Sequence, residues 1–175
     1  MIEMGADGGV VSIRPINRNG LDAIVELYNY SDGYRYATGI TFPVTPGDIR
    51  LKLDRLETSK NEFFYGIFLI DTDNAAPQLI GVVSGILHEN TLWIKLIAIL
   101  PQFRHRGIGC IAADLVYDRC KIAYGTNNVL LSVVEKNEDG VRFWLKQGFV
   151  ETGRFTKMLF GDSSPYEVII MNKNL

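Results

Sequence analysis

Cysteine is nearly missing from the chain: 175 residues hold two, Cys110 and Cys120, which excludes a domain stapled by several disulfides. Both fall within one predicted helix, where ten positions at a rise of about 1.5 Å set them ~15 Å apart, beyond the roughly 7 Å that a disulfide spans. Free thiols fit a reducing compartment. Long hydrophobic runs are missing too. Leu79 to Leu87 and Leu92 to Leu100, the second interrupted by Lys95, fall far short of the ~20 residues that cross a bilayer; they read as buried strands, and no membrane association is expected. Residues 1 to 9 are acidic and Gly-rich with no basic start before an apolar stretch, so they resemble neither a signal nor a transit peptide. They are expected to form a flexible segment ahead of a single domain over 10–175, in a cytoplasmic protein. Nor is there an excess of charge of one sign. Eighteen basic and twenty acidic residues leave a net charge of -2, so no nucleic-acid partner is expected and any anion site must be local. Internal repeats are absent.

What the chain does have is a 47% hydrophobic composition, enough for a core in one domain, and a clear succession of periods. Val10 to Arg14 alternates as a strand, and Leu21, Ile24, Val25 and Tyr28 recur at helical spacing. Residues 29 to 47 gather aromatics among Gly, Pro, Ser and Thr with neither period and read as a loop. "TPGD" supplies helix-start chemistry before Ile49, Leu53 and Leu56. Phe63 to Ile70, Leu79 to Leu87 and Leu92 to Leu100 form an antiparallel meander through the turns "DTDNAAP" and "HEN". A helix follows with Ile108, Ile111, Ala112, Leu115, Val116, Ile122 and Ala123 on one side, and it ends at Gly125. Val129 to Val134 is a buried strand and 140 to 147 a short helix closed by Gly148. Phe149 to Phe160 pairs with Tyr166 to Met171.

The start of the long helix carries the chemistry. In "PQFRHRGIGCIA", Arg104, His105 and Arg106 stand against Gly107 and Gly109. The first amides of a helix are unpaired, its dipole places about +0.5 charge there, and glycine lets an anion approach the backbone. A diphosphate fits this turn, whereas a solvated basic loop is the alternative reading of the arginines. "GIGCIA" also matches the dinucleotide pattern G-x-G-x-x-G/A, with Glu135 placed as a ribose-binding acid would be. Two features oppose that. Six residues separate the preceding strand from Gly107, and only 40 follow Glu135, too few for the rest of a doubly wound domain. No Lys-Ser or Lys-Thr follows the glycines, which excludes a P-loop.

"RHRGIG" together with "LLSVVEKNEDGVRFWLKQGF", residues 130 to 149, resembles the GCN5-related N-acetyltransferase family. That family carries R/Q-x-x-G-x-G/A on a strand-loop-helix and, one strand later, N-x-x-A-(x)3-Y-(x)3-G-F. Arg104, Gly107 and Gly109 fill the first pattern; Asn137, Gly148 and Phe149 fill the second, with Gly140 in place of Ala and Trp144 in place of Tyr. The resemblance implies an α/β (α+β) fold with a mixed, mostly antiparallel sheet of about seven strands flanked by about four helices, splayed between strands 92–100 and 129–134. It implies acetyl-CoA, or another acyl-CoA, as co-substrate without a metal, and an amine attacked directly in a ternary complex. Carried over by position, the backbone of Ile97, Ala98 and Ile99 would bind pantetheine as an added strand does. Arg104, His105, Arg106, Gly107, Ile108, Gly109 and Cys110 would bind the diphosphate. Asn137 and Trp144 would meet the cofactor arm, although Asn137 also reads as the cap of the Gly140 helix. A non-catalytic acyl-CoA-binding module is the alternative, and a dinucleotide-binding protein a weaker one.

Amine acylation needs a neutral amine, and an alkylamine is less than about 0.1% neutral at pH 7. His88, in the "HEN" turn, is several residues from the expected acetyl position and reads as a surface histidine. Glu135, at the end of the strand flanking the splay, is the candidate base. Trp144 stands where many relatives hold a Tyr that protonates the departing thiolate, and an indole cannot take that role. A thiol pKa near 8.5 makes the protonation helpful rather than obligatory. Tyr30, Asp32 and Tyr34 are the candidate acceptor-binding residues, since the family walls the acceptor with this segment. The expected acceptor is a small-molecule amine or a peptide or protein amine, and the expected state a monomer or homodimer.

Overall fold

The computed structural model describes residues 3–6, 9–16, 18, 21–30, 36, 42–71, 74–158 and 164–175. The β-branched and aromatic runs of the middle of the chain form strands β3 (Glu62–Asp71), β4 (Asn74–His88) and β5 (Thr91–Ile99), paired antiparallel in succession. β2 (Gly9–Pro15) adds to β3, and β1 (Glu3–Ala6) adds to β2. On the other side lie β6 (Asn128–Val134), then β8 (Tyr166–Asn174), then the edge strand β7 (Val150–Lys157), completing an eight-stranded sheet in the order β1-β2-β3-β4-β5-β6-β8-β7. β5 and β6 are parallel. A parallel pair needs a crossover, and helix α3 (Ile108–Tyr124) supplies it.

All seven strands read from the sequence are present. The eighth, β1, lies in the segment expected to be flexible: Glu3 to Ala6 pair through the backbone with Ser12 to Gly9. A backbone ladder needs no alternation of apolar side chains, so periodicity gives no warning of such an edge strand.

Helices α1 (Leu21–Asn29) and α2 (Pro46–Thr58) cover one face of the sheet. Leu21, Ile24, Leu27, Ile49 and Leu53 pack there against Phe64, Val82, Leu96 and Ala98. α2 starts as "TPGD" implies. The Thr45 hydroxyl accepts from the Asp48 amide at 3.3 Å, the Asp48 carboxylate accepts from the Thr45 amide at 2.8 Å, and Pro46 takes the first turn. The opposite face holds α3 and α4 (Glu138–Lys146). There Ile108, Ala112, Leu115 and Val116 of α3 are buried against Ile94, Val129 and Leu131, and the Ile, Leu and Val side chains contribute about 1.5–3 kcal/mol each relative to exposure. Ile122, assigned to this inner face from its spacing, is instead 82% exposed. Residues 121–125 are all exposed, so the final turn of α3 has no sheet beneath it.

Candidate active site

The site begins where the sheet parts. β5 and β6 pair from Thr91 with Asn128 to Ile94 with Leu131, and no further. Beyond this point β5 stays paired with β4 and β6 with β8, which leaves the facing edges of 95–98 and 132–134 open to a ligand. A bulge marks the parting. Ser84 pairs with Leu96 and Gly85 with Ile94, so Lys95 is the extra residue, and a bulge of this kind re-aims side chains beside it.

A cavity of about 440 Å³ occupies the opening. Ile97, Ala98 and Ile99 line it from β5, Arg104, His105 and Gly107 from the loop, Gly109 and Cys110 from the first turn of α3, and Asn137 and Trp144 from the start and inner face of α4. The structure therefore brings together ten of the twelve positions expected at a cofactor. Arg106 and Ile108 do not line the cavity with their side chains: the Arg106 guanidinium lies over the Phe103 ring at 5.9 Å, and Ile108 is buried in the core at the root of α3.

The loop has the backbone of an anion site. His105 (φ 61°) and Gly107 (φ 74°) are left-handed, with Arg106 between them not so, and alternating handedness turns successive amides into one concavity. Cys110 and Ile111 make the first helical bonds of α3, to the Gly107 carbonyl at 3.0 and 3.1 Å, so the Ile108 and Gly109 amides precede that ladder. Arg104 Nε donates to the Ile99 carbonyl at 2.9 Å, tying the end of β5 to the loop. At Gly109 a Cβ would come within 3.2 Å of the Phe143 ring, so glycine here also lets α4 close against α3. Extended chain along the β5 edge, with a diphosphate at the loop, is what this geometry can hold.

Both departures from the family pattern fall on α4. Asn137 Oδ1 accepts from the Gly140 amide at 3.2 Å and caps the helix, and this bond does not engage its Nδ2. A Cβ at residue 140 would lie 2.5 Å from that Nδ2, so glycine suits the asparagine's position. Trp144 is 6% exposed, with its ring edge-on to Phe143 and Phe149 at centroid distances of 4.6 and 5.1 Å. It lines the cavity as a wall.

Glu135 is not at the opening. Its carboxylate accepts from Arg154 Nη1, in a surface groove on the other side of α4 that Glu138 and Glu151 share, and its amide donates to the Glu167 carbonyl at 2.9 Å. The expected base thus faces away from the reacting region. His88 is exposed at the far end of β4, as its turn implied. Of the aromatic segment, Tyr30 is 50% exposed and does not line the cavity, while Asp32 and Tyr34 lie outside the described residues. Tyr36 does line it, its ring edge-on to Tyr166 at 5.5 Å. Sequence reasoning did not select Tyr36 because the segment has no period by which to rank its tyrosines.

Charge in the described lining is one-sided. Lys95, Arg104, His105, Arg142 and Lys146 contribute basic groups, and the carboxylate is that of Asp139, which accepts from Arg142 Nη2 at 2.6 Å. No cluster of metal ligands occurs among the described residues, and no described helix is long and apolar enough to cross a membrane. Cys110 and Cys120 are both free.

A sheet parted between two parallel strands, with a helix start and a left-handed loop at the mouth of the opening, defines an acyl-CoA-dependent transferase. The family model for the acetyltransferase (GNAT) family matches residues 25–149, and the chain belongs to that family. It is an N-acetyltransferase with acetyl-CoA as co-substrate. Among solved structures, the chain is similar to the spermidine N-acetyltransferase from Vibrio cholerae in complex with CoA and spermine, at 18% identity and a TM-score of 0.76, covering 94% of this chain and 95% of that one. A dodecameric structure of the same enzyme in an intermediate state matches at 18% identity and a TM-score of 0.72, covering 94% and 93%.

Proposed function

We propose that acetyl-CoA lies along the open edge of β5 with its diphosphate in the 104–110 loop, and that a small primary amine attacks the thioester directly where β5 and β6 part. The observation that carries this reading is the end of β5–β6 pairing at Ile94 and Leu131 directly before the left-handed loop. The thioester supplies the activated acetyl group. Amides of β5 past the end of its pairing with β6 face the thioester oxygen, and one such donor to a developing oxyanion contributes ~3 kcal/mol. Arg104 holds the loop against β5, and Asn137 Nδ2 donates to the pantetheine arm.

Tyr36 is the phenol among the described lining residues and protonates the departing thiolate, the role that Trp144 cannot fill. The described lining presents no unpaired carboxylate base, so the acceptor loses its proton to water. Its reactivity then follows its own neutral fraction, about tenfold per pH unit below its pKa.

The structural relatives favour a polyamine acceptor, and the basic lining opposes it. Thiol release from acetyl-CoA, measured across a panel of primary amines that includes spermidine, tests the reading. Saturable release that needs both substrates is expected; release that is absent or indifferent to every amine contradicts it.

A further inference from the structure

The bulge places a second basic centre at the opening, separate from the diphosphate loop. Lys95 lines the cavity one residue past the last β5–β6 pair. Its Nζ reaches across the α1/α2 face of the sheet to Glu62 Oε2 at 3.1 Å. Lys52 of α2 comes to the same place from above. Its Nζ lies over the Phe64 ring at 4.1 Å and over the Tyr28 ring at 5.6 Å, and it donates to the Tyr28 hydroxyl at 3.0 Å. Lys95 is ion-paired with Glu62, and Lys52 adds a second positive charge close enough to feel both. Burial first, and then repulsion from Lys95 only partly offset by Glu62, lower the Lys52 pKa to about 8. The cluster is an incompletely neutralised positive site: Lys95, partly exposed, lines the cavity, and Lys52, largely desolvated, stands behind it. An anion brought to Lys95 gains a charge-assisted contact there and the field of the desolvated Lys52 behind it, whereas a polycation is repelled.

We propose that the acceptor carries a carboxylate as well as its amine, and that Lys95, backed by Lys52, receives that carboxylate where β5 bulges. This rests on acyl transfer at the same opening. An amino acid has the required chemistry, because its carboxylate on Lys95 leaves its amine beside the end of the β5–β6 pairing. The carboxylate lies on the α1/α2 face and the cofactor loop at the start of α3, so the two anions occupy different ends of the cavity.

Two measurements on the full chain test the proposal. The first compares thiol release from acetyl-CoA for free amino acids, including β-alanine and γ-aminobutyrate, with release for their carboxamides and for spermidine. The free acid is expected to have a kcat/KM roughly tenfold or more above its amide, the scale of one charge-assisted contact, and Lys95→Gln to bring the ratio near one. Preference for the amide or for spermidine, or a ratio unmoved in Lys95→Gln, overturns the proposal. The second needs no turnover. With CoA present, reductive methylation of Lys52 and Lys95 is followed by mass spectrometry. N-acetyl amino acids, the products, are expected to slow methylation at both lysines, and N-acetyl amino acid amides to leave it unchanged. If no amine supports thiol release, the transfer reading fails, and the methylation result still decides the carboxylate: equal protection by acid and amide, or none by either, overturns it.

Discussion

Lys52 holds its ammonium between two aromatic rings while Lys95 repels it, and this has a consequence for stability. Below about pH 8 the group is charged in folded and unfolded chains alike, and the folded state bears the full desolvation. Between about 8 and the unperturbed 10.5 the unfolded chain still binds the proton that the folded chain has released, so stability rises with pH across that window. Urea unfolding is expected to show a gain of about 1 kcal/mol from pH 7 to pH 9 that Lys52→Met lacks. Tyr36→Phe is expected to lower kcat about tenfold at pH 7 and less above pH ~8.5, where the released thiol is ionised in any case; an unchanged kcat at both pH values removes Tyr36 from the reaction. Glu135→Gln is expected to change kcat less than about twofold, since its carboxylate is bound to Arg154 in an exposed pair of small energetic weight. The sequence places Glu135 at a strand end without saying which side of α4 it faces. That is settled by Arg154, nineteen residues on and in a different strand, a partner that local pattern does not reveal.

At the scale of elements, α4 shows two functions resting on one side chain. Asn137 caps the helix through Oδ1 and lines the cavity, where its Nδ2 is the proposed donor to the cofactor arm, and paired substitutions separate these. Asn137→Ala removes both and is expected to cost about 1 kcal/mol of stability and to raise the KM for acetyl-CoA. Asn137→Asp keeps the acceptor for the Gly140 amide and loses the donors, so thermal unfolding should stay near that of the unaltered chain while the KM rises. Equal KM values for the Asn137→Asp variant and the unaltered chain would leave Asn137 as a cap alone. Both readings of Asn137 were open from the sequence, since an Asn three residues before Gly140 carries the spacing of a cap and of the family motif at once. The cap of α2 was legible for the same local reason, its chemistry being complete within "TPGD". The last turn of α3 was not, because exposure of Ile122 depends on where the sheet ends and not on helical period.

Across the whole molecule, the order of elements was readable because each strand and helix announces itself by its period, and the place of the parting was readable only through the family resemblance. Nothing in "LWIKLIAIL" says that β5 leaves β6 after Ile94, or that Lys95 is a bulge; those show only in the registers of β5 with β4 and with β6. The basic side chains of the loop and the two glycines were visible, and the left-handed turn at His105 was not. The central claim is that this parting and loop hold acetyl-CoA, and isothermal titration of acetyl-CoA into the unaltered chain and into Gly109→Glu tests it most directly. A carboxylate in the first turn suits the dipole of α3 and opposes a diphosphate; the Phe143 ring must give by a few tenths of an ångström to admit the new Cβ, so circular dichroism checks that the variant is folded before its titration is read. Saturable binding to the unaltered chain, weakened about a hundredfold or more in Gly109→Glu, is the predicted result. No heat at millimolar acetyl-CoA, or binding of equal strength in a folded Gly109→Glu, would contradict it.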